Sequence, residues 1–161
     1  MIRKATAKDL PYISQIYEDL HTLEEQGSVT IGWIRNIYPT LTTAKSALHR
    51  GDLFVEEDNG IVGAAIINQQ QMDSYREANW NYDVVDQEVM VLHTLVISPE
   101  SAGKGYGRNF VEFYEKYALE HKCHYLRMDT NAINLRARTM YKKLGYQEVG
   151  IVPTGRSIVS S

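Results

Sequence analysis

A run of glycines at residues 103–107 has the residue types and spacing of an anion-binding loop. Its sequence is Ala102-Gly103-Lys104-Gly105-Tyr106-Gly107-Arg108. Glycine lets backbone N–H groups turn toward one point without interference from a Cβ atom. The unpaired N–H groups at the start of a following helix add to such a site, and Lys104 and Arg108 supply positive charge. The loop therefore predicts a cradle for phosphate groups.

Two common phosphate-binding motifs do not fit this spacing. A Walker loop requires a glycine where Ser98 stands and a serine or threonine where Gly105 stands. A dinucleotide fingerprint requires a third glycine at the position of Arg108. The remaining pattern is x-G-x-G-x-G/A after an apolar strand, which still fits an anion-binding loop. The alternative is a glycine-rich turn that only ends the strand.

A second group of residues shares one face of a predicted helix near the C-terminus. Asn134, Ala137 and Tyr141 stand at positions i, i+3 and i+7. The small Ala137 lets a ligand chain pass closely, the amide of Asn134 can bond to amides of that chain, and Tyr141 points its hydroxyl into the same groove. Ordinary core packing of the tyrosine is the alternative.

Together the two motifs resemble the signatures of the GNAT superfamily of acetyl-CoA-dependent N-acetyltransferases, over about residues 2–152. The helix fills every specified position of Asn-x-x-Ala-x-x-x-Tyr-x-x-x-Gly-Phe/Tyr, ending at Gly145 and Tyr146. The loop matches Gln/Arg-x-x-Gly-x-Gly/Ala except that Ala102 replaces the first residue. This departure removes one side-chain contact, whereas most of the cradle is backbone.

The resemblance implies that acetyl-CoA (coenzyme A) is the cofactor and that an amine attacks it directly in a ternary complex. Backbone groups of Leu95 to Ile97 would pair with the pantetheine, and one amide would polarise the thioester carbonyl. Such preorganised donors contribute about 2.7–4 kcal/mol each. The cofactor-binding residues implied by the resemblance are Leu95, Val96, Ile97, Gly103, Lys104, Gly105, Tyr106, Gly107, Arg108, Asn134, Ala137 and Tyr141.

The resemblance also suggests the acid and the base. An alkyl ammonium group has a pKa of about 10, so a base is useful for producing the neutral amine that attacks. Tyr141 occupies the position that the family uses as acid for the departing thiolate. His93 is the sharpest candidate base, since it is an imidazole in an otherwise apolar strand. A structural hydrogen bond is the alternative role for His93, and Glu88, at the start of that strand, is the weaker candidate base.

For the acceptor, the resemblance points to the loop between the first two helices and to the region around residue 80. Trp33, Tyr38, Trp80 and Tyr82 would line an aromatic pocket suited to an apolar or cationic amine, with Glu88 nearby. The alternative is that each aromatic ring only covers the sheet. The remaining histidines, His21, His49, His121 and His124, are predicted to lie on the surface.

The elements that must position these residues alternate between strand and helix. The predicted strands are Ile2–Thr6, Leu53–Glu57, Ile61–Asn68, Glu88–Ser98, Tyr125–Thr130 and Gln147–Val152. The predicted helices run from about Leu10 to Gly27, from Thr42 to Arg50, from Gly105 onward and from Asn134 to Leu144. Two strands joined by a crossover helix are parallel. We therefore predict a mixed α/β GNAT fold, with a central, mostly antiparallel sheet, helices on both faces, and a parallel fourth and fifth strand splayed around coenzyme A.

Length and composition agree with one globular GNAT domain over residues 1–161. The 161 residues are 43% hydrophobic and 23% charged. A net charge of −3 argues against nucleic acid as a partner. No apolar run is long enough to span a membrane, and the first residues lack the apolar core of a secretion signal. A single cysteine, Cys123, excludes an internal disulfide and argues against a cysteine-based metal site, and a cytoplasmic location is expected.

The C-terminus departs from the family pattern, which closes the sheet with a hairpin of two sizeable strands. Here one strand, Gln147–Val152, is followed by a turn at residues 153–155 and a polar segment, Arg156–Ser161. A shortened last strand leaves a sheet edge open. Either a second subunit in a homodimer covers that edge, or the acceptor groove is wider than usual.

The leading functional hypothesis is an acetyl-CoA-dependent N-acetyltransferase acting on a primary amine of a small molecule or peptide. A noncatalytic acyl-CoA-binding or regulatory module, which uses the same cradle without chemistry, is the main competitor. An interaction domain without any cofactor is the third hypothesis. No metal is expected in the reaction.

Overall fold

The computed structural model describes residues 1–70, 88–131, 133–151 and 156–160. Its strands are β1 (Ile2–Lys4), β2 (Leu53–Glu57), β3 (Ile61–Asn68), β4 (Val89–Ile97), β5 (Tyr125–Asn131), β6 (Gln147–Ile151) and β7 (Arg156–Ser160). Its helices are α1 (Leu10–Glu25), α2 (Leu41–Arg50), α3 (Tyr106–Glu120) and α4 (Leu135–Lys143). Within these ranges, no helix combines the length and apolarity needed to cross a membrane. The predicted mixed α/β architecture is confirmed.

The chain divides into two compact units. Unit 1 comprises Met1–Val29, Trp33–Ile67 and Thr94–Tyr114, and unit 2 comprises Thr30–Gly32, Asn68–His93 and Glu115–Ser161. Unit 1 thus contains α1, α2, the first three strands and the second half of β4. Unit 2 contains the first half of β4, the last three strands and α4.

In unit 1, β1, β2 and β3 form an antiparallel meander. Val55 of β2 is opposite Arg3 of β1 and Ala64 of β3. The turn between β2 and β3 places Asn59 at φ +55° and Gly60 at φ +117°, and Asp58 donates its N–H to Gly60 O at 2.9 Å. The two predicted strands on either side of this turn are confirmed, and Asn-Gly accommodates the positive φ values that tight hairpin turns require.

The core of unit 1 forms because both helices place an apolar stripe on the meander. Apolar residues of α1 recur at helical spacing, and those of α2 are small enough for close approach. The buried cluster consists of Ile13, Ile16, Tyr17, Ala44, Ala47, Leu53, Val55, Ala64, Ile66 and Val96. Val96 belongs to the second half of β4, so the segment expected to bind pantetheine is anchored in this core.

In unit 2 the strand order is β4-β5-β7-β6. β4 and β5 are parallel, with a register running from Val89↔Tyr125 to Leu92↔Met128. The predicted parallel pair is therefore confirmed, and this register covers four of the nine residues of β4. Residues 89–92 are buried, in keeping with their unbroken apolar sequence.

The expectation of a shortened C-terminus is wrong. Residues 156–160 form β7, which pairs antiparallel with both β5 and β6. Thus Met128 of β5 and Glu148 of β6 both stand opposite Val159. Because β7 lies between two partners, it is not an edge strand, and β6 ends the strand order instead.

Candidate functional site

The glycine loop of unit 1 has the backbone conformation that its sequence predicts. Gly103 has φ +78° and Gly105 has φ +85°, a region that residues with a Cβ rarely adopt. Residues 102–105 are solvent-exposed, and among the described residues no atom beyond the chain neighbours lies within 4 Å of a Cβ built on either glycine. The loop is therefore open to a ligand and needs glycine for its shape.

The start of α3 adds donors and charge to this loop. The helix begins at Tyr106, and Asn109 donates its N–H to Gly105 O at 3.0 Å. N–H groups in the first turn of a helix lack acceptors within the helix, so they remain available to an anion. Lys104 is exposed, and the ion pair that Arg108 makes with Glu112 at 3.2 Å is solvent-exposed. Both cations can therefore turn toward a bound anion at little cost.

The second half of β4 leads into the loop and is held tightly against β3. Ser98 donates its N–H to Val62 O at 2.8 Å. A Cβ at Gly63 would lie 2.8 Å from Val96 O and 2.7 Å from Ile97 Cδ1. The absence of a side chain at Gly63 thus lets β3 approach the backbone of residues 96–97 closely.

Thr94 interrupts this strand with a left-handed backbone at φ +47°. Positive φ is unfavourable for a β-branched residue, and such outliers concentrate at functional sites. The Thr94 hydroxyl is hydrogen-bonded to the hydroxyl of Tyr38. The structure therefore brings one predicted acceptor residue, Tyr38, to the strand segment that starts at Leu95.

The loop before α2 is fixed to α1 through charged side chains. Glu24 accepts the backbone N–H of Trp33 at 3.0 Å. Arg35 forms ion pairs with Glu18 and with Glu25, the latter at 3.0 Å. The Trp33 ring packs on the core of unit 1 and lies edge-on to the Tyr38 ring at 6.2 Å between centroids. Trp33 and Tyr38, both predicted to line an aromatic pocket, therefore lie side by side.

His21 is buried, so its predicted surface position is wrong. The side chain is 1% exposed, and Nε2 lies 2.8 Å from Pro39 O. Because a carbonyl only accepts, Nε2 carries the proton and donates it. Nδ1 has no hydrogen-bond partner among the described residues. His21 thus holds the end of the same loop, whereas His49, His121 and His124 are exposed as expected.

In unit 2, the candidate base His93 is partly buried and hydrogen-bonded. Its Nε2 lies 2.9 Å from Asn68 Oδ1. The same oxygen accepts the N–H of Gln70 at 2.9 Å, which identifies it as the amide oxygen rather than the nitrogen. His93 therefore donates from Nε2, and Asn68 fixes the tautomer and the ring orientation. This contact is compatible with either role of His93.

The second motif lies on α4 of the same unit. Asn134 caps the helix, since its Oδ1 accepts the Ala137 N–H at 3.2 Å. Tyr141 is 5% exposed, and its ring lies 6.3 Å from the ring of Tyr146. An ion pair of 2.6 Å between Arg138 and Glu148 holds α4 to β6. The motif residues thus serve packing and capping, and the Asn134 amide donors are not used by the cap.

Glu88 is exposed at the start of β4, while Trp80 and Tyr82 lie outside the described residues. Sequence reasoning missed Thr94 and Asn68 as partners of the site. In the described ranges, no group of three or more His, Cys, Asp or Glu side chains could hold a metal ion.

The family model described as Acetyltransferase (GNAT) family matches residues 13–146. The chain belongs to this family. A curated relative, streptothricin acetyltransferase from Escherichia coli, is 27% identical over 96 residues, which cover 60% of this chain. The match spans 52% of that enzyme's length.

Solved structures of GNAT type share the whole fold. An acetyltransferase of the GNAT family from Streptococcus agalactiae has a TM-score of 0.84 at 24% identity, covering 100% of this chain and 94% of that one. The protein yncA from Salmonella typhimurium, solved with its cofactor acetyl-CoA, has a TM-score of 0.68 at 19% identity and covers 100% and 92% of the two chains. These likenesses confirm the predicted GNAT fold.

Proposed function

We propose that this chain transfers an acetyl group from acetyl-CoA to a primary amine of a small molecule or peptide, by direct attack in a ternary complex. The observation that carries the proposal is the exposed, positive-φ glycine loop between β4 and α3 in a chain of the GNAT family. When bound, acetyl-CoA supplies an acetyl group activated as a thioester.

The donor set fits this cofactor. The N–H groups of Gly103 to Arg108 suit a pyrophosphate, and Lys104 supplies a further positive charge. Backbone groups of Leu95, Val96 and Ile97 suit the amides of pantetheine, and one of them suits the thioester carbonyl. On α4 of unit 2, the amide donors of Asn134 and the small Ala137 are the residue types that the family pattern assigns to contacts with pantetheine. Ala102 contributes only its backbone.

The proposed chemistry needs one acid and one base. In the reaction a C–N bond forms and the C–S bond breaks. Tyr141 gives its hydroxyl proton to the departing sulfur, and a base takes a proton from the acceptor nitrogen. The base is His93 acting directly or through water, with exposed Glu88 as the alternative.

The variant Tyr141→Phe tests the acid. It removes only the hydroxyl, so we expect a lower kcat with an unchanged Kd for CoA. Tyr146→Phe is the matched control, because Tyr146 is also buried, at 4% exposure, and the family pattern accepts phenylalanine there. Equal turnover of the two variants would refute the acid role of Tyr141.

The pH dependence of kcat/KM tests the base. We expect His93→Gln to remove an ascending limb that Glu88→Gln retains. An unchanged rate and profile in His93→Gln would assign the His93–Asn68 hydrogen bond to structure alone. Loss of the limb only in Glu88→Gln would transfer the role to Glu88.

The aromatic pair Trp33 and Tyr38 supports an apolar or cationic acceptor, and Trp80 and Tyr82 remain proposed members of that pocket. An acceptor panel should contain streptothricin, named for the E. coli relative, together with simple primary amines and short peptides with a free N-terminus. Release of free thiol measures turnover. The proposal takes the cytoplasm as the working compartment, which the lone free cysteine fits.

Two measurements separate this proposal from its competitors. A thermal shift with CoA is expected for an enzyme and for a noncatalytic acyl-CoA-binding module, whereas an interaction domain without cofactor gives none. Thiol release with at least one amine then identifies the enzyme. Binding of CoA without turnover on the whole panel would favour the module.

A further inference from the structure

Two side-chain contacts join the first turn of α3 to the β2–β3 hairpin within unit 1. The Tyr106 hydroxyl donates to Asp58 Oδ2 at 2.6 Å. The Asn109 amide donates to Glu56 Oε1 at 3.2 Å. Tyr106 and Asn109 are three residues apart and so share one face of the helix. The hairpin therefore holds that face at two points, directly after the glycine loop.

The contact at Glu56 is partly buried, and the contact at Asp58 is exposed. Glu56 is 3% exposed, and its Oε2 has no hydrogen-bond partner among the described residues. Burial raises the pKa of this carboxyl above its usual range, and the bond from Asn109 partly opposes that shift. A buried carboxyl held by a single amide fixes the position of Asn109. Asp58 then sets the rotation of the helix end through Tyr106.

We propose that Asp58 and Glu56 are positioning residues that hold the N–H groups of Gly103 to Arg108 in the orientation that binds the pyrophosphate of coenzyme A. This inference rests on the proposed function. A loop containing two positive-φ glycines has many accessible conformations, and fixing it before binding lowers the entropic cost of association. The hairpin performs that fixing without touching the cofactor.

The charge of Asp58 makes the inference sharply testable. A carboxylate close to a pyrophosphate site repels the ligand, so on charge alone both Asp58→Asn and Asp58→Ala tighten binding. If Asp58 positions the loop, Asp58→Ala instead weakens CoA binding and Asp58→Asn does not. The amide introduced by Asp58→Asn would still offer an oxygen to the Tyr106 hydroxyl, whereas alanine at this position leaves the hydroxyl without its acceptor.

The experiment compares two acetyl donors. Isothermal titration gives the Kd for CoA, and turnover is measured with acetyl-CoA and with S-acetyl-N-acetylcysteamine, a thioester that carries no phosphate. We expect Asp58→Ala to raise the Kd for CoA about fivefold, the effect of one net hydrogen bond, while kcat/KM for the truncated donor stays unchanged. We expect Asp58→Asn to have the same Kd for CoA as the wild-type protein. Glu57→Ala, which removes a charge from the same hairpin, leaves the Kd unchanged because Glu57 bonds to Arg3 instead.

A second variant keeps the test independent of any loss of folding. Tyr106→Phe removes only the hydroxyl and should match Asp58→Ala, and the double variant should be no weaker than either single one. Tighter or unchanged CoA binding in Asp58→Ala would overturn the inference, as would equal losses with both donors. Failure of the wild-type protein to bind CoA would instead overturn the proposed function.

Discussion

Gly63 allows β3 to approach the backbone of β4, and the substitution Gly63→Ala tests how much the site depends on that approach. A Cβ at this position lies 2.7 Å from Ile97 Cδ1, 2.8 Å from Val96 O and 3.4 Å from Phe110 Cε2. The first two contacts are shorter than real Cβ atoms show. Ile97 can change its rotamer. Val96 O is part of the backbone and cannot move in that way, because Ser98, two residues further on, donates its N–H to Val62 O at 2.8 Å.

The expected cost follows from these contacts. Adding a methyl group to a packed core costs about 1–3 kcal/mol, and a contact with backbone places this site in the upper half, at about 2–3 kcal/mol. Relief requires β4 to retreat by several tenths of an ångström over residues 96–97. These residues are proposed to bind the pantetheine, and misplacement by about 1 Å can cost about a hundredfold in rate. We therefore expect kcat/KM for acetyl-CoA to fall by about threefold to tenfold.

Urea unfolding and steady-state kinetics measure the two effects. Val62→Ala is the matched control, because Val62 is 8% exposed and its truncation costs about 1.5–2.5 kcal/mol without pressing on β4. We expect the control to lose stability but to retain kcat/KM well below its Tm. In the Gly63→Ala background, Ile97→Val removes the closest atom and should recover part of the stability but little activity, since the contact with Val96 O remains. Wild-type stability in Gly63→Ala, or activity equal to that of Val62→Ala, would refute this reasoning.

Three further predictions concern buried polar groups of unit 1, each measured by urea unfolding. Hydrogen bonds from Arg3 lower the pKa of Asp9 below its ordinary 3.8. The ionised Asp9 therefore stabilises the fold above pH 3.8, and this stabilisation is lost as the pH falls through the pKa of the folded state. Asp9→Asn should remove this acid dependence and cost about 1.5–2 kcal/mol at pH 7; an unchanged acid limb would exclude Asp9 as its source. Burial raises the pKa of Glu56 above 4.5, so stability falls as the pH rises from 4.5 through the folded pKa, and Glu56→Gln should be the more stable at pH 7. A less stable Glu56→Gln at pH 7 would contradict that sign. His21→Leu leaves Pro39 O without its donor and should cost about 1–3 kcal/mol, whereas no loss would show that water replaces the bond.

The parts of the fold that sequence predicted are those set by local pattern. The apolar spacing in α1, the Asn-Gly turn and the unbroken apolar run of β4 each determine one element within a few residues of chain. The glycine loop is of the same kind, because φ values of +78° and +85° at Gly103 and Gly105 follow from the residue type. Its place between β4 and α3 follows from the apolar runs on either side.

The strand β7 was missed because its sequence carries no strand pattern. Residues 156–160 place two adjacent apolar residues among polar ones, without alternation. The strand exists because it is paired on both sides, by β5 and by β6. Pairing of that kind depends on segments that are distant in sequence, which a local reading does not contain.

His21 could have been placed correctly from the sequence. It follows Ile13 and Tyr17 at intervals of four residues, and therefore lies on the buried stripe of α1. Its residue type suggested exposure, whereas its position in the helix determined burial. For a polar residue on an apolar stripe, the better prediction is burial with one hydrogen-bond partner, which for His21 is Pro39 O.

The hydrogen bonds around the candidate site could not be predicted from local pattern, since each joins residues far apart in the chain. Tyr38 bonds to Thr94, Asn68 to His93, and Tyr106 to Asp58, across separations of 56, 25 and 48 residues. No local pattern specifies such pairs. A signature identifies the residues proposed to contact the cofactor, while the partners that would orient them are fixed by tertiary structure. Variants at those orienting positions therefore offer the more stringent test of the structure, because their effects were not predictable from the family resemblance.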